Sequence, residues 1–231
     1  MRIRLRQIVM VARDLAAAEE RVVDELGLEL CYRDPGVGAF GLRNALFPIG
    51  DKLLEIVSPI SDGTTAGRFL DKRGGDGGYM VIFETDDLDD ARRRFDDAGV
   101  RVVFEAADEG VVGLHLHPGD VGGAIVSIDR TDTWGEWPWA GPEWRHHVRT
   151  ERVCDVLGVE VEATDPEAMA ARWASVLGRP AQGRTVAVDE GVITFAPAGE
   201  RGEGVTGFVL AAAAGADVID VEICGCRFVS R

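Results

Sequence analysis

Gln7-Ile8-Val9-Met10-Val11-Ala12-Arg13-Asp14-Leu15, closing at Leu26-Gly27, is a phrase that the chain writes more than once. It returns as Met80-Val81-Ile82-Phe83-Glu84-Thr85-Asp86-Asp87-Leu88, closing at Ala98-Gly99. A third version runs Leu157-Gly158-Val159-Glu160-Val161-Glu162-Ala163-Thr164-Asp165-Pro166 and closes at Leu177-Gly178. Each is an apolar run, an Asp, a helix-like stretch and a Gly, with 13, 12 and 13 residues from Asp to Gly. Asp14, Asp87 and Asp165 suit helix starts, because a short carboxylate accepts from the unpaired first-turn N–H groups. Pro166 then takes the first helical position, where its missing N–H costs nothing. Gly27, Gly99 and Gly178 supply the left-handed residue that ends a helix.

Short β-like runs follow each helix: residues 38–42 and 53–57, then 100–104, 111–117 and 124–128, then 185–188, 192–195 and 205–211. The plan predicts a βαβββ module written three times. One such module leaves an open sheet with bare edges. Two of them curl into a cupped sheet around a cavity. The expected fold class is therefore α+β: paired βαβββ modules forming a cupped mixed β-barrel over residues 1–130, and a third βαβββ module over 151–231. The third lacks a partner within the chain. It is expected to pair with its copy in a second subunit, giving a homodimer, or to pack against the barrel. Residues 131–150 form a connector holding Trp134, Trp137, Trp139 and Trp144. An exposed run of this kind invites aggregation, so it is read as packing between modules, with a lid over the cavity as the alternative.

Lys and Arg number 25 against 40 Asp and Glu, a net charge of -15. Such a surface repels phosphate backbones and anionic lipid heads, which excludes nucleic acid and membrane surfaces as partners. The start, Met1-Arg2-Ile3-Arg4-Leu5-Arg6, alternates charged and apolar residues like a strand, not like a leader peptide. No run approaches the roughly eighteen apolar residues of a membrane span, and a cytoplasmic chain is expected. Cys31, Cys154, Cys224 and Cys226 are read as buried free thiols. Cys224 and Cys226, two apart on an apolar run, are expected to share one face of a strand. The Asp86-Asp87-Leu88-Asp89-Asp90 and Arg92-Arg93-Arg94 clusters are read as a helix start and a solvated helix face.

Leu5-Arg6-Gln7-Ile8 with Asp14-Leu15, the strand Leu54-Glu55-Ile56-Val57-Ser58-Pro59, the joining segment Thr65 to Lys72, and Leu116-His117-Pro118-Gly119-Asp120-Val121-Gly122-Gly123 form an ordered set. Together they resemble the vicinal-oxygen-chelate superfamily (glyoxalase, bleomycin-resistance and dioxygenase proteins), and methylmalonyl-CoA epimerases most. The resemblance covers residues 1–130 in order. It implies a divalent metal ion held by one residue from each of four strands, polarising two neighbouring substrate oxygens. Carried over strand by strand, the four positions are Gln7, Glu55, Met80 and Ser127. Gln7 and Glu55 are suitable metal ligands. A thioether and a neutral hydroxyl are poor ones, so the usual metal site reads as eroded. His115 and His117, two apart on a strand, are the replacements weighed: His117 as a displaced ligand, against a structural role for a His preceding Pro.

Proton abstraction beside a thioester needs a base. The resemblance implies a carboxylate on the strand that here reads Gly36 to Leu42, which has none. Asp34 beside it reads as a turn residue. Glu55 is therefore the candidate catalytic group, with Tyr79, Met80, Glu84, His115 and Ser127 lining the expected cavity. Two functions follow. One is a diverged glyoxalase-like lyase or isomerase acting on a small oxygenated or acyl-thioester compound. The other is a non-catalytic protein that binds or sequesters an apolar small molecule in the same cavity.

Overall fold

The computed structural model describes residues 1–231. The fold is α+β, built on βαβββ modules. The first contributes β1 (Ile3–Val11), α1 (Leu15–Leu26), β2 (Leu42–Ile49) and β3 (Lys52–Pro59), followed by α2 (Thr65–Arg73). The second contributes β4 (Gly77–Thr85), α3 (Leu88–Ala98), β5 (Val102–Asp108), β6 (Val111–Leu116), α4 (Pro118–Val121) and β7 (Ile125–Thr131). The third contributes β8 (Val153–Ala163), α5 (Pro166–Leu177), β9 (Ala181–Gln182), β10 (Thr185–Val188) and β11 (Gly191–Pro197). The chain ends in β12 (Gly204–Ala212), β13 (Asp220–Ile223) and β14 (Cys226–Ser230). Two seven-stranded mixed sheets result, ordered β2-β3-β1-β4-β7-β6-β5 and β13-β14-β12-β8-β11-β10-β9.

The repeated caps form as their residues require. Asp14 accepts from the Ala17 N–H, Asp87 from Asp90 and Asp165 from Ala168, at 3.2, 2.8 and 3.0 Å. Gly27, Gly99 and Gly178 close the helices at φ of 70°, 62° and 64°, the left-handed region that side chains with a Cβ avoid.

Three local expectations are corrected. Residues 38–42 are not a strand. Pro35–Phe40 is a 3-10 turn whose start is capped by Asp34, and the strand begins only at Leu42. Pro35 and the glycines at 36, 38 and 41 favour turning, while β2 tolerates Pro48 because it lies at a sheet edge. Residues 205–211 do not close the third module. β12 pairs parallel with β14, which pairs antiparallel with β13, the same pairing that β1, β3 and β2 make. The chain therefore carries part of a fourth repeat without its helix. Cys224 and Cys226 do not share a strand either. Cys224 (φ 49°) and Gly225 (φ 65°) form the two-residue turn between β13 and β14.

The chain divides into two compact units. One comprises Met1–Arg6, Met80–Pro138 and Gly158–Val205; the other comprises Gln7–Tyr79, Trp139–Leu157 and Thr206–Arg231. In the first, α5 packs the third module onto the second. Trp173, fully buried, meets Phe83 and Phe195 edge-on and donates from its indole N–H to the Gly122 carbonyl at 3.1 Å. The Trp-rich connector is docked, half in each unit. Trp134 lies under the Arg2 and Arg4 guanidiniums at 4.1 and 4.7 Å, and buried Trp137 lies under Arg6 at 5.1 Å. In the other unit Trp144 is buried, and the Cys31 thiol meets the Ala140 carbonyl. No helix is long and apolar enough to cross a membrane.

Candidate active site

In the second unit one face of the sheet gathers an acid and two amides. Gln7 lies opposite Leu53 across β1 and β3, Glu55 opposite Val9, and Asn44 on β2 opposite Val57. Alternation along the strands puts all of these on one side. The Glu55 carboxylate accepts from Gln7 Nε2 at 2.7 Å and from Asn44 Nδ2 at 2.6 Å, one amide on each oxygen. The Asn44 carbonyl oxygen accepts in turn from the Asp34 backbone N–H at 2.8 Å, which fixes the amide's orientation. Glu55 is only 7% exposed. Burial pushes its carboxyl up to about 7, against the pull of the two amide donors and with the Asp34 charge adding to the rise. A hollow of about 500 Å³ opens between the start of α1 and the 3-10 turn, lined by Arg33, Asp34, Leu42, Arg43 and Asn44 among others, and meets this group at Asn44.

The first unit carries a second polar face. Across β5, β6, β7 and β4 the aligned residues Phe104, His115, Ser127 and Ile82 form one row. The next row on the same face is Ala106, Gly113, Asp129 and Glu84. Ser127 Oγ donates to Asp129 Oδ1, and Gly113 leaves the space that this carboxylate fills, since a Cβ there would stand 2.8 Å from it. Burial pushes the His115 imidazole down to about 4, so it is neutral at physiological pH. Glu84 is fully enclosed. One oxygen takes Arg4 Nε at 2.9 Å and Nη2 at 2.7 Å, the other takes the Thr131 hydroxyl at 2.7 Å and the Gly135 N–H at 3.0 Å. A cavity of about 560 Å³ along α3, by Arg92, Phe95 and Arg101, holds no comparable group: Arg92 pairs with Glu105 and Arg101 with Asp120.

With this geometry in view, the comparisons decide the family. The glyoxalase-like domain model matches residues 8–177. The chain belongs to the glyoxalase-like domain family. It stands with it in the vicinal-oxygen-chelate superfamily. The ethylmalonyl-CoA/methylmalonyl-CoA epimerase of Cereibacter sphaeroides is 27% identical over 139 residues, 55% of this chain and 97% of its own. A solved methylmalonyl-CoA epimerase in complex with methylmalonyl-CoA and NH4+ is 25% identical with a TM-score of 0.51, over 58% of this chain and 97% of that one. A 4-hydroxymandelate synthase variant from Streptomyces coelicolor, at 14% identity, shares the fold across 90% of this chain and 70% of its own, with a TM-score of 0.67.

Tyr79 is buried and meets Phe69 edge-on at 5.2 Å. Met80 is half-buried on β4 opposite Ile125. His117 caps α4: its Nδ1 accepts from the Gly119 N–H at 3.1 Å, with Asp120 3.6 Å away. His146 is exposed beside Glu143, and His147 bonds Glu29 at 2.7 Å. All four cysteines are free, and burial pushes the Cys31 and Cys224 thiols up to about 12, which leaves them unreactive.

The side chains present do not fit a resident divalent cation. Nowhere do three or more His, Cys, Asp or Glu side chains gather as a ligand set. Each Glu55 oxygen already faces an amide N–H, whose positive end stands where a cation would be needed. In the first unit Ser127 spends its proton on Asp129, and Met80 offers only a soft thioether. Sequence reading missed Asn44 and Asp129. Asn44 sits in a stretch that reads as loop until β2 is placed. Asp129 stands two residues from Ser127, so strand alternation alone would have put it on the same face.

Proposed function

We propose that this chain is an isomerase-type enzyme that moves a proton on the carbon beside a carbonyl, in a small acyl thioester or related oxygenated compound. Glu55 is the acid–base group. The observation that carries this reading is a buried carboxyl lifted to about 7 and held in place by two neutral amides. Near neutrality such a group exists in both forms, which is what a base that must also return a proton requires. The carboxylate takes the proton, the C–H electron pair passes into the carbonyl to give an enolate, and the protonated Glu55 or solvent returns a proton to carbon. Gln7 and Asn44 orient the carboxylate. The names of the relatives support an acyl-CoA as substrate. The net charge of -15 counts against so anionic a molecule, and a smaller thioester or 2-oxo compound suits the surface better.

The test is proton exchange. Methylmalonyl-CoA incubated with the protein in D2O should take up deuterium at the carbon between its carbonyls faster than in buffer, as read by NMR. Glu55→Gln should slow that uptake by about 10²- to 10⁴-fold. Exchange at the buffer rate across a panel of acyl thioesters and 2-oxo acids would end the reading.

A second reading, a carrier that holds a small molecule without chemistry, is favoured by one feature: the Glu55 oxygens are already each bonded by an amide. Saturable binding without exchange would select it.

A further inference from the structure

His115, half-buried, and Asp129, buried, are the titratable groups on the β6–β7 face that the reading above leaves unused. His115 stands directly across from Ser127 in the antiparallel register, and such pairs hold their Cβ atoms about 4.5–5.5 Å apart. Phe104, opposite it on the other side, packs its ring at 5.3 Å and a 53° tilt. The imidazole is thus positioned by an aromatic neighbour. Its nitrogens have no hydrogen-bond partner in the chain, and burial alone accounts for its loss of basicity. Ser127 is fully buried, and its proton is committed to Asp129. The hydroxyl oxygen keeps its lone pairs, and the carboxylate behind it makes that oxygen more electron-rich. A neutral imidazole N–H and a fixed, buried hydroxyl on adjacent strands make a binding point for an uncharged polar group.

We propose that His115 and Ser127 form a neutral oxygen-binding site, in which the His115 ring N–H donates to the carbonyl oxygen of a bound small molecule. A neutral donor suits this task because it polarises a carbonyl without first giving up a proton of its own. Ser127 and Asp129 position the group across the strand; His115 makes the contact. The proposal rests on the reading of the chain as a protein for carbonyl compounds, and does not require Glu55 to be the base.

The experiment uses the full chain and methylmalonyl-CoA labelled with ¹³C at the thioester carbonyl, in Glu55→Gln protein so that turnover does not blur the signal. Binding should move the carbonyl resonance downfield, the signature of a hydrogen bond to oxygen. His115→Phe, which keeps the ring packing on Phe104, should abolish the shift and raise the dissociation constant about tenfold. His115→Gln should recover part of both by restoring an N–H donor. An unchanged shift in His115→Phe, or no shift on saturating the parent protein, would overturn the proposal. The two readings separate cleanly. A carbonyl shift without any deuterium exchange in the native chain keeps the oxygen site and removes the isomerase. Exchange without a shift does the reverse.

Discussion

Glu55 and Glu84 are the same side chain, both buried on sheet strands, and their surroundings give them opposite uses. Glu55 is held by amides, which donate hydrogen bonds but carry no charge. Its ionised form is poorly compensated, so its proton is easily gained and lost near neutrality. Glu84 is held by the Arg4 guanidinium, with Arg6 Nε 3.7 Å away, and its second oxygen is filled by Thr131 and Gly135. Every acceptor site is taken and the charge is matched, which makes it a fastening for β1 and the Trp134 loop. The difference teaches that burial alone does not mark a working carboxylate. The charge of its partners does.

The largest expected effect tests the fastening. Glu84→Ala takes from the nearly fully buried Arg4 the carboxylate that bonds both its Nε and Nη2, while the other carboxylate by it, Glu190, is 60% exposed and 3.3 Å away. Stranding a buried guanidinium in this way costs about 3–5 kcal/mol. Urea unfolding should show the loss, and the paired change Arg4→Met with Glu84→Leu should recover much of it. A loss below about 1 kcal/mol, the range of exposed ion pairs, would erase the contrast between the two glutamates.

The next effect is a pH dependence. The unfolded Glu55 carboxyl ionises near 4.5 and the folded one near 7, so in that window the folded chain holds a proton that the unfolded chain has lost. Stability therefore falls as pH rises through the window, by about 3 kcal/mol from this group. His115 acts in the opposite sense. Its folded value of about 4 lies below the usual 6.5, so stability falls as pH drops from 6.5 towards 4, by a similar amount of about 3 kcal/mol. In the native chain the two slopes offset each other where they overlap. Glu55→Gln should expose the His115 slope, with stability rising from pH 4 to 6.5, and His115→Phe should expose the Glu55 slope, falling from pH 4.5 to 7. Urea midpoints across pH 4 to 8 measure both. Profiles that keep the native slope in both variants would show that neither group is shifted by its burial.

The contrast was half legible in the sequence. The apolar run, Asp and Gly of each repeat dictate helix ends locally, so α1, α3 and α5 could be placed from residue types alone. Glu55 could be singled out because a lone carboxylate on an apolar strand stands out. Its cage could not, because Asn44 comes to it only through the β2–β3 register, which Pro48 just before the Gly50-Asp51 turn hides. Glu84 was read as facing a cavity for the same reason. Strand alternation gives the face, but the arginines that enclose it come from β1, some 80 residues earlier. The last strands misled for a different cause: β12 is as apolar as any closing strand, and only its parallel pairing with β14 separates it from the third module.

The smallest effect reaches the connector. Trp134 covers the Arg2 and Arg4 guanidiniums with its ring and is half-buried, so the contact is a charge against a π face in partial contact with water. Trp134→Leu keeps apolar volume and removes that attraction, at a cost of about 1 kcal/mol. The size of the loss matters less than its dependence on Glu84. Arg4 is the member common to both contacts, and Glu84 bonds its guanidinium where it meets the ring. If the connector is fastened through that arginine, Trp134→Leu should cost clearly less in a Glu84→Gln background than in the native chain, and a double-mutant cycle will show the coupling. Strictly additive losses would mean that Trp134 packs on its own account, and that the ion cluster and the connector are separate devices.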